Sequence, residues 1–198
     1  MQRIGRAAIA VAVLVGVGAA PRAALVDIVK GGDVAAARAA LQARQSADDA
    51  DREGTSALHW AVLADRTDLV ELLLRAGANP NAKNRYGVTP LSIACENGNT
   101  SVVDALLKAG SDPNLALVSG ETPLMTAART GNSAAVALLL AHKVPVDARE
   151  PVRQQTALMW AAAEDNAAAA ELLVRAGADL KARSKGGLTP LLFAARDG

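Results

Sequence analysis

Two histidines, one cysteine and scattered carboxylates are the side chains from which this sequence could build acid–base, nucleophilic or metal chemistry. A zinc site needs three or four His, Cys or carboxylate ligands on convergent elements. His59 and His142 fall in unrelated phases of the pattern described below, and no Cys/His cluster has metal-ligand spacing. Cys95 stands in an Ala-Cys pair with no histidine placed to take its proton. An apolar setting of that kind raises a thiol pKa and leaves the sulfur inert. There is no Gly-x-Ser-x-Gly elbow and no phosphate-cradling glycine loop. The acidic run ADDADRE, Ala47 to Glu53, reads as solvated loop. The expectation is a protein that is not an enzyme, with no cofactor and no metal.

The elements that would position such residues explain why they are so dispersed. TSALHWAVLADR, from Thr55, returns as QTALMWAAAEDN, from Gln155, and related phrases begin VTPLSIACENG at Val88, ETPLMTAARTG at Glu121 and LTPLLFAARDG at Leu188. Setting Ser56, Thr89, Thr122, Thr156 and Thr189 in register gives steps of 33, 33, 34 and 33 residues. Self-similarity at that period marks a tandem array. In each unit a hydroxyl residue precedes Pro or Ala, which predicts an N-cap and a first helix. Gly98 and Gly131, or Asp65 and Asp165, end it. A second helix ends in a leucine cluster, followed by a capping glycine at Gly77, Gly110 and Gly177 and an Asn/Asp/Pro-rich loop. Leu73, Leu74, Leu106, Leu107, Leu139, Leu140, Leu173 and Val174 line up as the expected ridge between neighbouring units. Lys143 replaces the capping glycine in one unit, and the loop after it is one residue longer with two prolines, so irregularity is expected at that junction.

Composition agrees with closely apposed small helices, since two Trp, one Tyr and one Phe are the only aromatic residues among 198. The formal charge of +1, with no basic run, excludes a nucleic-acid footprint. The N-terminus differs in kind. Arg3 and Arg6 precede an uncharged apolar run from Ala7 to Ala20, which Pro21 breaks. That run is short for a membrane span, which needs about twenty residues, and suits a cleaved secretory signal. Loss of Arg3 and Arg6 would bring the formal charge to −1. The mature chain is expected in the periplasm or outside the cell, without stable membrane insertion; the Ala/Arg-rich composition suits a bacterium.

The period, the Gly-x-Thr-Pro-Leu stretch, the Ala pair and the Leu-Leu-x-x-Ala-Gly-Ala-Asx ending together resemble the ankyrin repeat. The resemblance implies an all-α solenoid of stacked helix-turn-helix units with protruding loops. The expected organisation is a signal peptide at 1–20, a degenerate first repeat at 21–53, repeats at 54–86, 87–119, 120–153 and 154–186, and an incomplete repeat at 187–198. The histidine that follows Thr-Pro-Leu in the family survives only as His59, with Ser92, Met125, Met159 and Leu192 elsewhere. Trp60 and Trp160 share a first-helix slot with Ile93, Thr126 and Phe193, and are expected to pack against neighbouring helices.

What the resemblance implies for function is a scaffold that binds a protein partner on a concave face, built from loop tips and the ends of first helices. Carried onto this sequence, the partner-binding positions are Arg52, Glu53, Arg85, Tyr86, Leu117, Val118, Arg153 and Lys185 on the tips. Glu96, Asn97, Arg129 and Glu164 are their counterparts on the helix ends. Tyr86 and Leu117–Val118 are the expected anchors. The partner is expected to be a protein, not nucleic acid, and the scaffold a monomer. Because LTPLLFAARDG stops at the turn inside a unit, a longer protein is also expected. The alternative reading makes these residues the N-terminal recognition module of an enzyme or effector whose catalytic part lies beyond residue 198.

Overall fold

The structure, a computed structural model, describes residues 23–197; the proposed signal segment lies outside the described residues. Within them the chain forms eleven helices: α1 Leu25–Lys30, α2 Val34–Gln42, α3 Ala57–Leu63, α4 Thr67–Arg75, α5 Pro90–Asn97, α6 Thr100–Lys108, α7 Pro123–Arg129, α8 Ser133–Ala141, α9 Ala157–Ala163, α10 Ala167–Arg175 and α11 Pro190–Asp197. Successive helices pair, and the pairs stack in two layers. The layer α1, α3, α5, α7, α9, α11 forms one side; α2, α4, α6, α8 and α10 form the other.

Local chemistry sets each boundary. The hydroxyls of Ser56, Thr89, Thr122 and Thr156 accept from the backbone N–H three residues on, at His59, Ser92, Met125 and Met159. Pro90 and Pro123 then occupy the first turn, where a missing N–H costs nothing. The turns inside the pairs are left-handed, at Gly98 (φ 77°) but also at Asp65 (φ 54°) and Asp165 (φ 53°). A side chain at the head of each second helix reaches back to the turn of the preceding pair. Arg66 donates to the Gly32 carbonyl, Asn99 to the Asp65 carboxylate and Asn132 to the Gly98 carbonyl, while Asn166 donates to the Ala128 and Arg129 carbonyls.

The core runs unbroken between the layers. Leu58, Leu69, Leu73, Leu91, Leu106, Leu124, Leu139 and Leu173 are all buried. The expected two-residue ridge is only partly realised. Its first members are fully buried, but of the second members only Leu107 is; Leu74 and Leu140 are half-buried and Val174 is exposed. Adjacent residues on a helix point about 100° apart, so both cannot face one neighbour. Among the described residues α10 packs on α8 and α9, and Val174 lies on its exposed side.

The junction after α8 is irregular. Lys143 adopts φ 56°, in the left-handed region that glycine fills elsewhere. Asp48, Asn81 and Asp147 side chains accept from the backbone N–H of Asn79, Asp112 and Asp179 in the next loop. In that register the partner of Asn114 is Pro145, which has no N–H to offer.

Candidate functional site

Each tip between pairs is a tight hairpin. N–H groups of Asp51, Asn84, Leu117 and Ser184 donate to the carbonyls of Thr55, Val88, Glu121 and Leu188, four residues on. At the first two tips a short side chain organises the turn. Asp51 accepts from the N–H of Glu53 and Thr55, and Asn84 from those of Tyr86 and Val88. The fourth tip is one residue longer, with Glu150 donating to the Gln155 carbonyl. Its organising side chain is correspondingly longer. Glu150, 5% exposed, accepts from the N–H of Val152, Arg153 and Gln155 at 2.7–2.9 Å. Burial pushes its carboxyl pKa up, but these backbone donors outweigh that and hold it below the usual range.

The structure distributes the expected site residues unevenly along the tips and the ends of the first helices. Arg52 and Tyr86 are exposed, yet Arg85 pairs with Glu53, the Tyr86 hydroxyl donates to Glu53 at 3.3 Å, and the Arg85 guanidinium lies 5.1 Å from the Tyr86 ring. Val118 is 81% exposed, whereas Leu117 beside it is half-buried. Asn97 is committed internally, its amide donating to the Val62 carbonyl at 2.9 Å. Arg129 pairs with Glu96 and lies 3.6 Å from Glu121. Arg153 and Lys185 are joined through their backbones, the Lys185 N–H donating to the Arg153 carbonyl at 2.8 Å, and both side chains are exposed. Glu164 is exposed near them.

Trp160 packs against the core as expected, and the structure also brings it to this surface. It is half-buried and lines an indentation of about 460 Å³, whose wall includes Arg129, Arg153, Glu164 and Phe193. It also borders a second one with Val152 and Ser119. Its indole N–H has no acceptor. The equivalent Trp60 donates to Asp51 at 3.1 Å, with the Lys30 ammonium 4.4 Å over its ring and paired to the same carboxylate. Sequence offered one signal for this, a tryptophan in a slot that Ile93 and Thr126 also fill.

His59 and Cys95 are committed to the fold. The His59 Nδ1 accepts from the Ser56 N–H at 3.2 Å, and Nε2–H donates to the Val88 carbonyl at 3.0 Å, which fixes the neutral tautomer. Burial pushes its pKa down, against the Val88 carbonyl and the Asp51 charge, which favour protonation. At the equivalent place Ser92 makes a smaller loop of bonds to Thr89. Burial pushes the Cys95 thiol up to about 12. No group of three His, Cys, Asp or Glu residues fit to hold a metal occurs among the described residues, and none of their helices is long and apolar enough to cross a membrane.

Comparison with known families gives two matches. A model described as ankyrin repeats (3 copies) matches residues 91–184, and one described as ankyrin repeat matches residues 53–85. Together they cover well over half of the chain. A search of curated proteins returns no match.

Proposed function

Since the chain belongs to the ankyrin-repeat family, whose repeats are generally protein–protein interaction modules, we propose that it is a binding scaffold that docks a protein partner on its concave side. The observation that supports this reading is the partly exposed aromatic ring of Trp160 in an indentation among the tips and first-layer helices. Tryptophan flanked by arginine is the composition of binding hot spots. Val118 and Val152, 81% and 64% exposed on neighbouring tips, add apolar area with no core to fill.

A photo-crosslinking amino acid placed singly at Val118, Val152 or, on the opposite layer, Lys108 tests the proposal. Adducts with a partner protein should form from the two tips and not from Lys108. Equal adducts from all three positions would overturn concave docking.

The basic-then-apolar leader supports export to the periplasm or beyond the cell. In a Gram-negative host the protein should lose roughly 18 to 24 N-terminal residues, as a signal peptide does. Intact protein in the cytosol, seen by mass spectrometry, would overturn export.

A further inference from the structure

We propose that the Trp160 indentation recognises an acidic, extended segment of a protein partner, with carboxylates against Arg153 and Lys185 and one apolar side chain against the indole. The proposal rests on concave docking and specifies its chemistry.

Its basis is an imbalance of charge that the first copy of the same phrase does not have. Around Trp60 the anion and the cation are both internal. Asp51 accepts from the indole, and Lys30 covers the ring while pairing with Asp51 at 3.3 Å. Around Trp160 the acid in the corresponding tip, Glu150, is turned inward and saturated by three backbone N–H groups. The indole donor is therefore left without an acceptor. The cations stay outside. Arg129 stands 5.7 Å from the Trp160 ring and is already balanced by Glu96 and Glu121. Arg153 on the wall and Lys185, held beside it by the bond from its N–H to the Arg153 carbonyl, are exposed. Arg153 favours the ionised Glu150 without a direct ion pair, and Glu164 is the one acid among the lining residues. An incoming anionic segment balances these exposed cations, as Asp51 balances Lys30 internally in the first copy, while the buried indole N–H of Trp160 stays out of its reach. The volume accommodates a side chain of a bound segment, being within the usual range of ligand sites.

Complementary charge of this kind governs selectivity and association rate, and weakens with salt. A Trp60→Phe chain leaves Trp160 as the sole indole reporter. It would be titrated with three twelve-residue peptides, each with a central leucine flanked by glutamates, lysines or serines. The glutamate peptide should shift Trp160 emission saturably, less so as salt rises. Arg153→Glu combined with Lys185→Glu, with circular dichroism unchanged, should weaken that binding by about tenfold or more and favour the lysine peptide. Equal binding of all three peptides, or indifference to the double reversal, would overturn acidic selectivity while leaving the indentation a docking site. No response to any peptide while the Val118 and Val152 adducts form would remove this indentation from the docking surface. No response and no tip adducts would remove concave docking as well.

Discussion

Trp60 and Trp160 occupy the same slot of the same Ala-Leu-x-Trp-Ala frame and are buried to a similar degree, yet one has its indole N–H bonded and the other leaves it unmatched. Backbone and core are alike in both. Ser56 and Thr156 cap their helices in the same way, and Leu58 and Leu158 are both buried beneath them. The difference comes from outside the frame. Asp51 and Lys30 seal the first ring, while one extra residue in the fourth tip draws Glu150 into the backbone and leaves the second ring facing Arg129 and Arg153. A repeat thus specifies where a side chain stands, and its neighbours decide whether it is structure or surface.

If the two frames are one scaffold, breaking each should cost the same. Leu58→Ala and Leu158→Ala should each destabilise by about 2 to 5 kcal/mol, the usual range for truncating a buried leucine. Urea titration of each single variant checks this. A large cost at Leu58 with almost none at Leu158 would show that the second frame is loosely packed, and the comparison would then concern packing instead of polar partners.

The next largest effect separates the frames at the position before tryptophan. His59 is buried and joined to Ser56 and Val88, whereas Met159 is buried without polar work. His59→Met should therefore cost about 1 to 3 kcal/mol, the usual penalty for stranding buried polar groups. The wild-type residue also carries a pH signature. Its folded pKa lies below the unfolded value of about 6.5, so the unfolded chain binds the proton more readily. Stability is full above that pH and declines as pH falls beneath it. Asp51 and Glu150, both with lowered pKa, lose their contribution in a separate window, below the unfolded carboxylate values near 4. Melting temperature measured between pH 7 and pH 5 should fall in the wild type and flatten in the variant; parallel curves would assign the decline to other groups.

Much of this was legible in sequence because repetition supplies its own controls. Five aligned phrases identified caps, turns and the apolar stripe, and the left-handed Lys143 followed from its register with Gly77, Gly110 and Gly177. The candidate surface was less legible. Tip residues such as Val118 are exposed as their loop position implies, but whether a charged tip is free depends on residues a whole period away. Glu53 is tied up with Arg85 and Tyr86 from the next tip, and Asn97 is bonded to Val62 of the preceding pair. Trp160 packs against the core as expected, but its share of the surface was hidden for the same reason, since Arg129 and Arg153 come from the preceding unit and Phe193 from the following one. Val174 was misjudged because alignment by phrase says nothing about which side of a helix a neighbour covers.

Smaller in effect, Lys143→Gly addresses the junction that leads into the second frame. At Gly77, Gly110 and Gly177 an added Cβ would meet nothing within 4 Å, so backbone conformation dominates the choice of residue at this point of the repeat. Lys143 at φ 56° carries the left-handed strain of a side chain, and its own is exposed. Glycine should stabilise by about 1 kcal/mol, the relief of strain exceeding the added freedom of the unfolded chain. A lower melting temperature would mean that the lysine makes compensating contacts in this loop.

The smallest effect is the most direct test of the opening comparison, because it removes the same indole from both frames. Trp60→Phe deletes a hydrogen bond to the Asp51 carboxylate and weakens the ammonium contact from Lys30. Bonds to charged groups contribute about 1.5 to 3 kcal/mol when partly buried, less where water screens them, so a loss of about 1 kcal/mol is expected. Trp160→Phe removes an indole N–H that has no acceptor. Deleting an unmatched donor relieves its desolvation, and this gain opposes the loss of ring area, so the net change should stay within about 0.5 kcal/mol. Circular dichroism melts of the two variants, which need no indole signal, would measure the pair. Equal losses would mean that Trp160 is held by partners as strong as those of Trp60, and the second frame would then be as closed as the first.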